Sequence, residues 1–222
     1  MLWLAVACTS PSPMDSSEPD VPRGALQLAF PLDSPELFEA PVGVDHDPQE
    51  YDGAEDLICT AYDGRPFPAC YDEHDGSDYL LDGGFEAMDA GSATVLAAAA
   101  GQVVLVTDGN YDRCHGTLGE GNDCDGHPMA SNTVVIEHPG GFKTRYLHMM
   151  SGAMLVDEGD EVVCGTPLGL VGSSGNSSTP HLHLELEDAD GQTIDPYAGE
   201  FSQPETFWRE QRGPEELPGG CP

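Results

Sequence analysis

Positive charge is what this sequence has least of. Lysine and arginine number 7 against 40 aspartates and glutamates, for a formal net charge of -33. A chain this anionic repels phosphate backbones and anionic lipid headgroups, which argues against nucleic acid as a partner and against electrostatic membrane binding. The acids are spread along the chain and not blocked in one tail, the pattern of a solvated surface. No C-x-x-C pair occurs among the 7 cysteines, which disfavours thiolate zinc knuckles. No His-Glu-x-x-His segment occurs, so a glutamate base on a zinc-binding helix is excluded. The Gly/Asp/Asn-rich stretch from Asp108 to Ser131 lacks EF-hand spacing.

With 27 glycines, 19 prolines and 39% hydrophobic residues in 222, the composition suits a loop-rich, mainly β domain. The expected fold is an antiparallel sheet or barrel-sandwich with an open cleft and long disulfide-stapled loops. The short apolar run Met1–Cys8, which lacks a basic segment before it, resembles the end of a truncated bacterial lipoprotein signal peptide cut before a lipidated Cys8. A signal-peptidase cut after Ala5-x-Ala7 falls at the same bond. Either predicts export to the cell envelope, as an outer-membrane lipoprotein facing the periplasm or as an extracellular protein, with any membrane contact made through the lipid. Residues 9–27, rich in Ser, Pro, Asp and Glu, read as a tether, 28–200 as the folded domain and 201–222 as a polar tail.

Setting Cys8 aside leaves Cys59, Cys70, Cys114, Cys124, Cys164 and Cys221, an even set suited to disulfides in an oxidising compartment. Several pairings are open to six cysteines. Nearness in sequence favours Cys59 with Cys70 and Cys114 with Cys124, which leaves Cys164 for Cys221.

The densest chemistry lies in Thr179–Glu187. Leu182, Leu184 and Leu186 alternate with His181, His183, Glu185 and Glu187, the period of a half-buried strand. Side chains two apart on a strand sit roughly 7 Å apart, so two imidazoles can flank one metal ion and its water. Alone, such a pair equally fits an edge strand with solvated histidines. Upstream, His74 and Asp78 stand four apart around Gly76, where a turn can fold both onto one point. His46 sits among solvating acids and reads as a surface histidine. Gly91–Ala97 and Gly101–Thr107 read as two short buried strands, and 132–148 as a hairpin whose return strand puts Phe142, Thr144, Tyr146 and His148 on one face, near a cleft. The stretch 108–131, with His115 and His127, reads as a stapled surface loop, a second metal site being its alternative.

Together the motifs resemble the lysostaphin-like (LytM-type) zinc endopeptidases that cut peptidoglycan peptides. They are His74-x-Gly76-x-Asp78; Val95-x-Ala97 and Gly101-x-Val103; Val134-x-Ile136-x-His138-x-x-Gly141; Thr144-x-Tyr146-x-His148; Val162-x-x-Gly165; Gly169-x-x-Gly172-x-x-Gly175; and Pro180-His181-Leu182-His183-x-Glu185. The resemblance runs from His74 to Tyr197. It implies His74, Asp78 and His183 as ligands of one Zn²⁺ and His148 and His181 as catalytic histidines, acting on peptidoglycan stem peptides and most simply as a monomer. Tyr146 is a candidate for shaping the pocket, and Glu185 for hydrogen-bonding a ligand ring. Family members that lack ligands act as non-enzymatic activators of other wall hydrolases, the alternative function. Three departures from the pattern stand out: Ser77 for an aliphatic residue, Thr179 for a glycine, and the long 108–131 insertion.

Overall fold

The structure, a computed structural model, describes residues 26–49, 57–117 and 121–222; Cys8 and nearly all of the expected tether lie outside them. Among the described residues, eleven strands carry the fold: β1 (Ser77–Leu80), β2 (Thr94–Leu96), β3 (Gly101–Thr107), β4 (His115–Thr117), β5 (Gly121–Asp123), β6 (Thr133–Glu137), β7 (Lys143–Leu147), β8 (Glu161–Val162), β9 (Pro167–Leu170), β10 (His181–Glu187) and β11 (Thr193–Ile194). The main sheet is antiparallel in the order β1-β10-β7-β6-β3-β8, with β11 added to β10, while β2 pairs with β9 and β4 with β5. The mainly β, antiparallel expectation is met. The three disulfides join Cys59 to Cys70, Cys114 to Cys124 and Cys164 to Cys221.

The alternation in β10 organises the sheet. Leu182, Leu184 and Leu186 are buried in the core with Val134, Ile136, Tyr79 and Tyr146. Because directly opposed residues in an antiparallel pair share a face, the register Tyr79↔Leu182 and Tyr146↔Leu184 puts both tyrosines in the core. The neighbouring register Asp78↔His183 brings the carboxylate onto the histidine face.

Five readings need correction. The strand β10 is buried on both faces from His181 to Leu186, because the Tyr71–Asp75 turn and His148 cover its polar side. The strand β3 is largely exposed, Val103 being its one buried residue. The segment 201–222, read as a polar tail, packs into the core, since Phe207 and Trp208 are buried and Trp208 bridges to Leu28. Leu26 is likewise buried, so packing reaches back into the stretch assigned to the tether. His46 is half-buried, with Nε2 2.8 Å from Asp195, a carboxylate almost wholly enclosed.

Candidate metal and catalytic site

One glycine makes the site possible. A Cβ at Gly76 would overlap the imidazole of His183 and press on the Leu184 carbonyl, so the turn between His74 and Asp78 can lie flat against β10 only without a side chain. His74, Asp78 and His183 are then buried together, their donor atoms mutually close. His74 Nε2 lies 3.2 Å from both His183 Nδ1 and Asp78 Oδ1, and His183 Nδ1 lies 2.7 Å from Asp78 Oδ1. Ligands of a tetrahedral zinc at about 2.0–2.1 Å stand roughly 3.3 Å apart, so a small outward shift accommodates the ion.

Tautomers follow from the acceptors around each ring. Carbonyl oxygens only accept, so His74 Nδ1 donates to the Gly43 carbonyl at 2.7 Å and His148 Nδ1 to the Ser174 carbonyl at 2.6 Å. Each thus has Nδ1 committed to a carbonyl, which leaves Nε2 as the nitrogen turned to the site. His183 is turned the other way, its Nδ1 in the ligand cluster and its Nε2 3.3 Å from Glu185 and 3.5 Å from Asp75. Glu185 is itself paired with Arg145 Nε at 2.8 Å.

Burial opposes charge on Asp78, yet His74 and His181 hold its carboxyl well below the usual range. Burial also opposes charge on His183, where Asp75, Asp78 and Glu185 more than compensate and raise the imidazole well above its ordinary value. Without metal the cluster is thus an ion pair, and a divalent cation held by these three residues would take the place of the His183 proton.

His148 reaches the site by a backbone device. It follows the end of β7 with φ +62°, the left-handed region that non-glycine residues seldom adopt. Its N–H donates to Ser131 Oγ at 2.9 Å. This turn carries the ring away from the Thr144 and Tyr146 face to a position 4.6 Å from the His181 ring and 5.7 Å from that of His183. Burial above all, and the charges of His181 and His183, lower its pKa to about 3. A histidine of depressed pKa costs the folded state stability as pH falls, since the unfolded chain binds a proton near pH 6.5 that the folded chain refuses. In metal-free protein, the stability of the wild type relative to His148→Gln should therefore fall by about 2 kcal/mol between pH 7.5 and pH 5. Urea titration measures it; a difference independent of pH would mean that the ring charges freely.

The expectations for the two weaker candidates divide. Glu185 does lie beside His183. Tyr146 lies on the core side, where its hydroxyl accepts the Ala98 N–H at 2.8 Å, and it lines no part of the cleft. Sequence reasoning missed Tyr71, whose ring stacks on His74 at 4.1 Å and whose hydroxyl donates to Asp78 Oδ2 at 3.2 Å; no periodicity marks it. It also missed Asp75 and the Gly43 carbonyl. Beside the site lie two depressions of about 300 and 370 Å³ that share the ridge Asp72–Asp75. Among the described residues, the other metal-competent groups are Asp75-His183-Glu185, which shares His183, and Asp45 with Cys59 and Cys70, whose sulfurs are bonded to each other. None falls in the 108–131 stretch.

Three buried donors that could hold one metal ion, with the rings of His148 and His181 packed beside them, form the centre of the site. The chain belongs to peptidase family M23, whose signature matches residues 74–196, more than half of its length. It is 47% identical over 60 residues to the peptidoglycan DD-endopeptidase ShyA of Vibrio cholerae serotype O1, a match covering 27% of this chain and 14% of that protein. It is 39% identical over 74 residues to the DD-carboxypeptidase/endopeptidase Mpg of Neisseria meningitidis serogroup B, covering 33% and 16%. The chain thus matches only a small part of these curated relatives. Among solved structures, a zinc containing peptidase from Vibrio cholerae aligns with TM-score 0.47 at 24% identity, over 77% of this chain and 39% of that one. The catalytic domain of the prophage-encoded M23 protein EnpA from Enterococcus faecalis aligns with TM-score 0.46 at 25% identity, over 78% and 96%.

Proposed function

We propose that this chain is an exported zinc metalloendopeptidase that hydrolyses peptide cross-links of bacterial peptidoglycan. The observation that carries the reading is the convergence of His74 Nε2, Asp78 Oδ1 and His183 Nδ1 within 3.2 Å of one another, beside His148 and His181. Three protein donors suit one Zn²⁺ with a position left open. When bound, the ion supplies Lewis acidity, acidifying water and polarising the scissile carbonyl. The protein supplies the proton traffic. His148 is neutral at pH 7 by virtue of its lowered pKa, so its Nε2 accepts a hydrogen bond and orients the attacking water, while His181 takes the proton. The protonated imidazole then returns the proton to the leaving amine nitrogen, and as a donor it stabilises the oxyanion meanwhile. Lipid attachment at Cys8 belongs to the same proposal and accounts for a position in the cell envelope.

Purified protein incubated with wall sacculi, with and without chelator, should release muropeptides with new amino and carboxyl termini in a chelator-sensitive way. Zinc-loaded protein that binds sacculi and releases no new termini would instead establish a non-enzymatic wall-binding activator. Cleavage of oligoglycine or elastin-like peptides with sacculi left intact would identify a proteinase of Gly-rich proteins.

A further inference from the structure

The family signature begins at His74, yet part of what holds the donor cluster lies before it. Cys59 and Cys70 are joined and buried with Ala61 in a small core of their own. Residues 43–45 bond both to this stapled loop and to His74: Gly43 N–H donates to the Ala69 carbonyl at 2.8 Å, and Asp45 N–H to the His74 carbonyl at 2.8 Å. The Asp45 carboxylate closes the frame by accepting the Thr60 N–H at 2.9 Å and the Glu73 N–H at 3.3 Å, which ties both arms of the disulfide loop to it. Tyr71 follows Cys70 directly, and its carbonyl accepts the His74 N–H at 3.2 Å. From this anchored position the side chain reaches two members of the cluster. Its ring stacks on His74 with centroids 4.1 Å apart and planes 25° from parallel, and its hydroxyl donates to Asp78 Oδ2 at 3.2 Å.

The two contacts constrain different things. A carboxylate can bind a cation through one oxygen or through both, and Asp78 turns Oδ1 to the cluster, 2.7 Å from His183 Nδ1 and 3.2 Å from His74 Nε2. Swinging Oδ2 toward the same point would break the Tyr71 hydrogen bond at a carboxylate that is almost wholly enclosed, where a lost hydrogen bond is costly. The phenol thus holds the carboxylate in a one-oxygen posture. His74 is held from two directions: the Gly43 carbonyl at 2.7 Å from Nδ1 sets where the ring points, and the stack on Tyr71 sets its tilt. A phenylalanine would keep the stack and lose only the hydroxyl, so the two constraints can be separated by substitution.

We propose that Tyr71 is a positioning residue of the metal centre: anchored by the Cys59–Cys70 loop, its hydroxyl holds Asp78 to ligation through Oδ1 alone and its ring fixes the tilt of His74. The inference rests on the reading that His74, Asp78 and His183 hold one ion; it does not rest on peptide hydrolysis. The test compares wild type, Tyr71→Phe and Tyr71→Ala as the full chain. Zinc affinity is measured by chelator competition, and the visible spectrum of the cobalt-substituted protein reports coordination number. Zinc affinity should fall by about tenfold in Tyr71→Phe and by about 100-fold in Tyr71→Ala, where the stack is lost as well. Cobalt in the wild type should give the intense bands of a four-coordinate site, and in Tyr71→Phe weaker bands as the released Oδ2 joins the ion. Tyr71→Trp, which keeps an aromatic ring and places no hydroxyl on Asp78, serves where Tyr71→Phe fails to fold. An unchanged zinc affinity or an unchanged cobalt spectrum in Tyr71→Phe overturns the proposal, since packing alone would then account for the residue. A wild type that binds zinc with this dependence on Tyr71 but releases no muropeptides leaves the positioning role standing and removes the peptidase reading instead.

Discussion

His183→Ala is expected to lose tight zinc binding, whereas His181→Ala is expected to retain zinc and lose about 10²–10⁴-fold in turnover. The two residues are two apart on one strand and comparably buried, so burial does not distinguish them; the nitrogens do. His183 presents Nδ1 to His74 and Asp78 at 3.2 and 2.7 Å, completing the donor set, and its removal leaves two ligands for an ion that requires three from the protein. His181 presents Nε2 at 3.5 Å from Asp78 Oδ1, at the margin of the cluster, while its other nitrogen is engaged with Thr179 and Ser177. It is placed to exchange a proton with a group bound at the open position. Metal analysis after gel filtration, combined with kcat on a peptidoglycan peptide, separates the roles, and equal zinc loss in both variants would overturn the division.

The second large effect lies far from the site. Trp208→Ala is expected to destabilise the protein by about 3–5 kcal/mol, although the residue belongs to a segment that reads as a polar tail. Its ring is completely buried, 5.3 Å from that of Tyr197. Its backbone lies beside Leu28, and Arg209 N–H donates to the Leu28 carbonyl at 2.8 Å. Deleting the indole leaves a cavity beside Tyr197, at the point where the C-terminal segment bridges to Leu28. Urea denaturation with zinc present and absent measures the loss. A change under about 1 kcal/mol would show that the C-terminal segment merely covers the domain.

These two predictions draw on different kinds of information. The donor set is legible in the chain itself: period-2 alternation assigns Leu182, Leu184 and Leu186 to one face of β10 and His181, His183 and Glu185 to the other, and the glycine between His74 and Asp78 marks a turn tight enough to bring both to one point. The near cysteine pairs are legible for the same reason, since short loops close readily. Periodicity misleads at His148. It assigns the ring to the Tyr146 face, but the positive φ at the strand end carries it to the site, and a single backbone reversal leaves no trace in a pattern of apolar residues. Trp208 is hidden because its partners, Leu28 and Tyr197, are remote from or unrelated to any local repeat.

By itself, then, the sequence determined which side chains could hold a metal ion and which face of β10 they share, because both depend on residue type and on the geometry of neighbouring peptide units. The tertiary structure alone decided which nitrogen of each imidazole faces the cluster. That choice belongs to the acceptors on the other side of the ring: the Gly43 carbonyl for His74, the Ser174 carbonyl for His148, the Thr179 carbonyl for His181, and Glu185 with Asp75 for His183. Most of these reach their ring only when separate segments pack together, and hydrogen-bond direction follows from who the neighbour is, which local sequence does not encode.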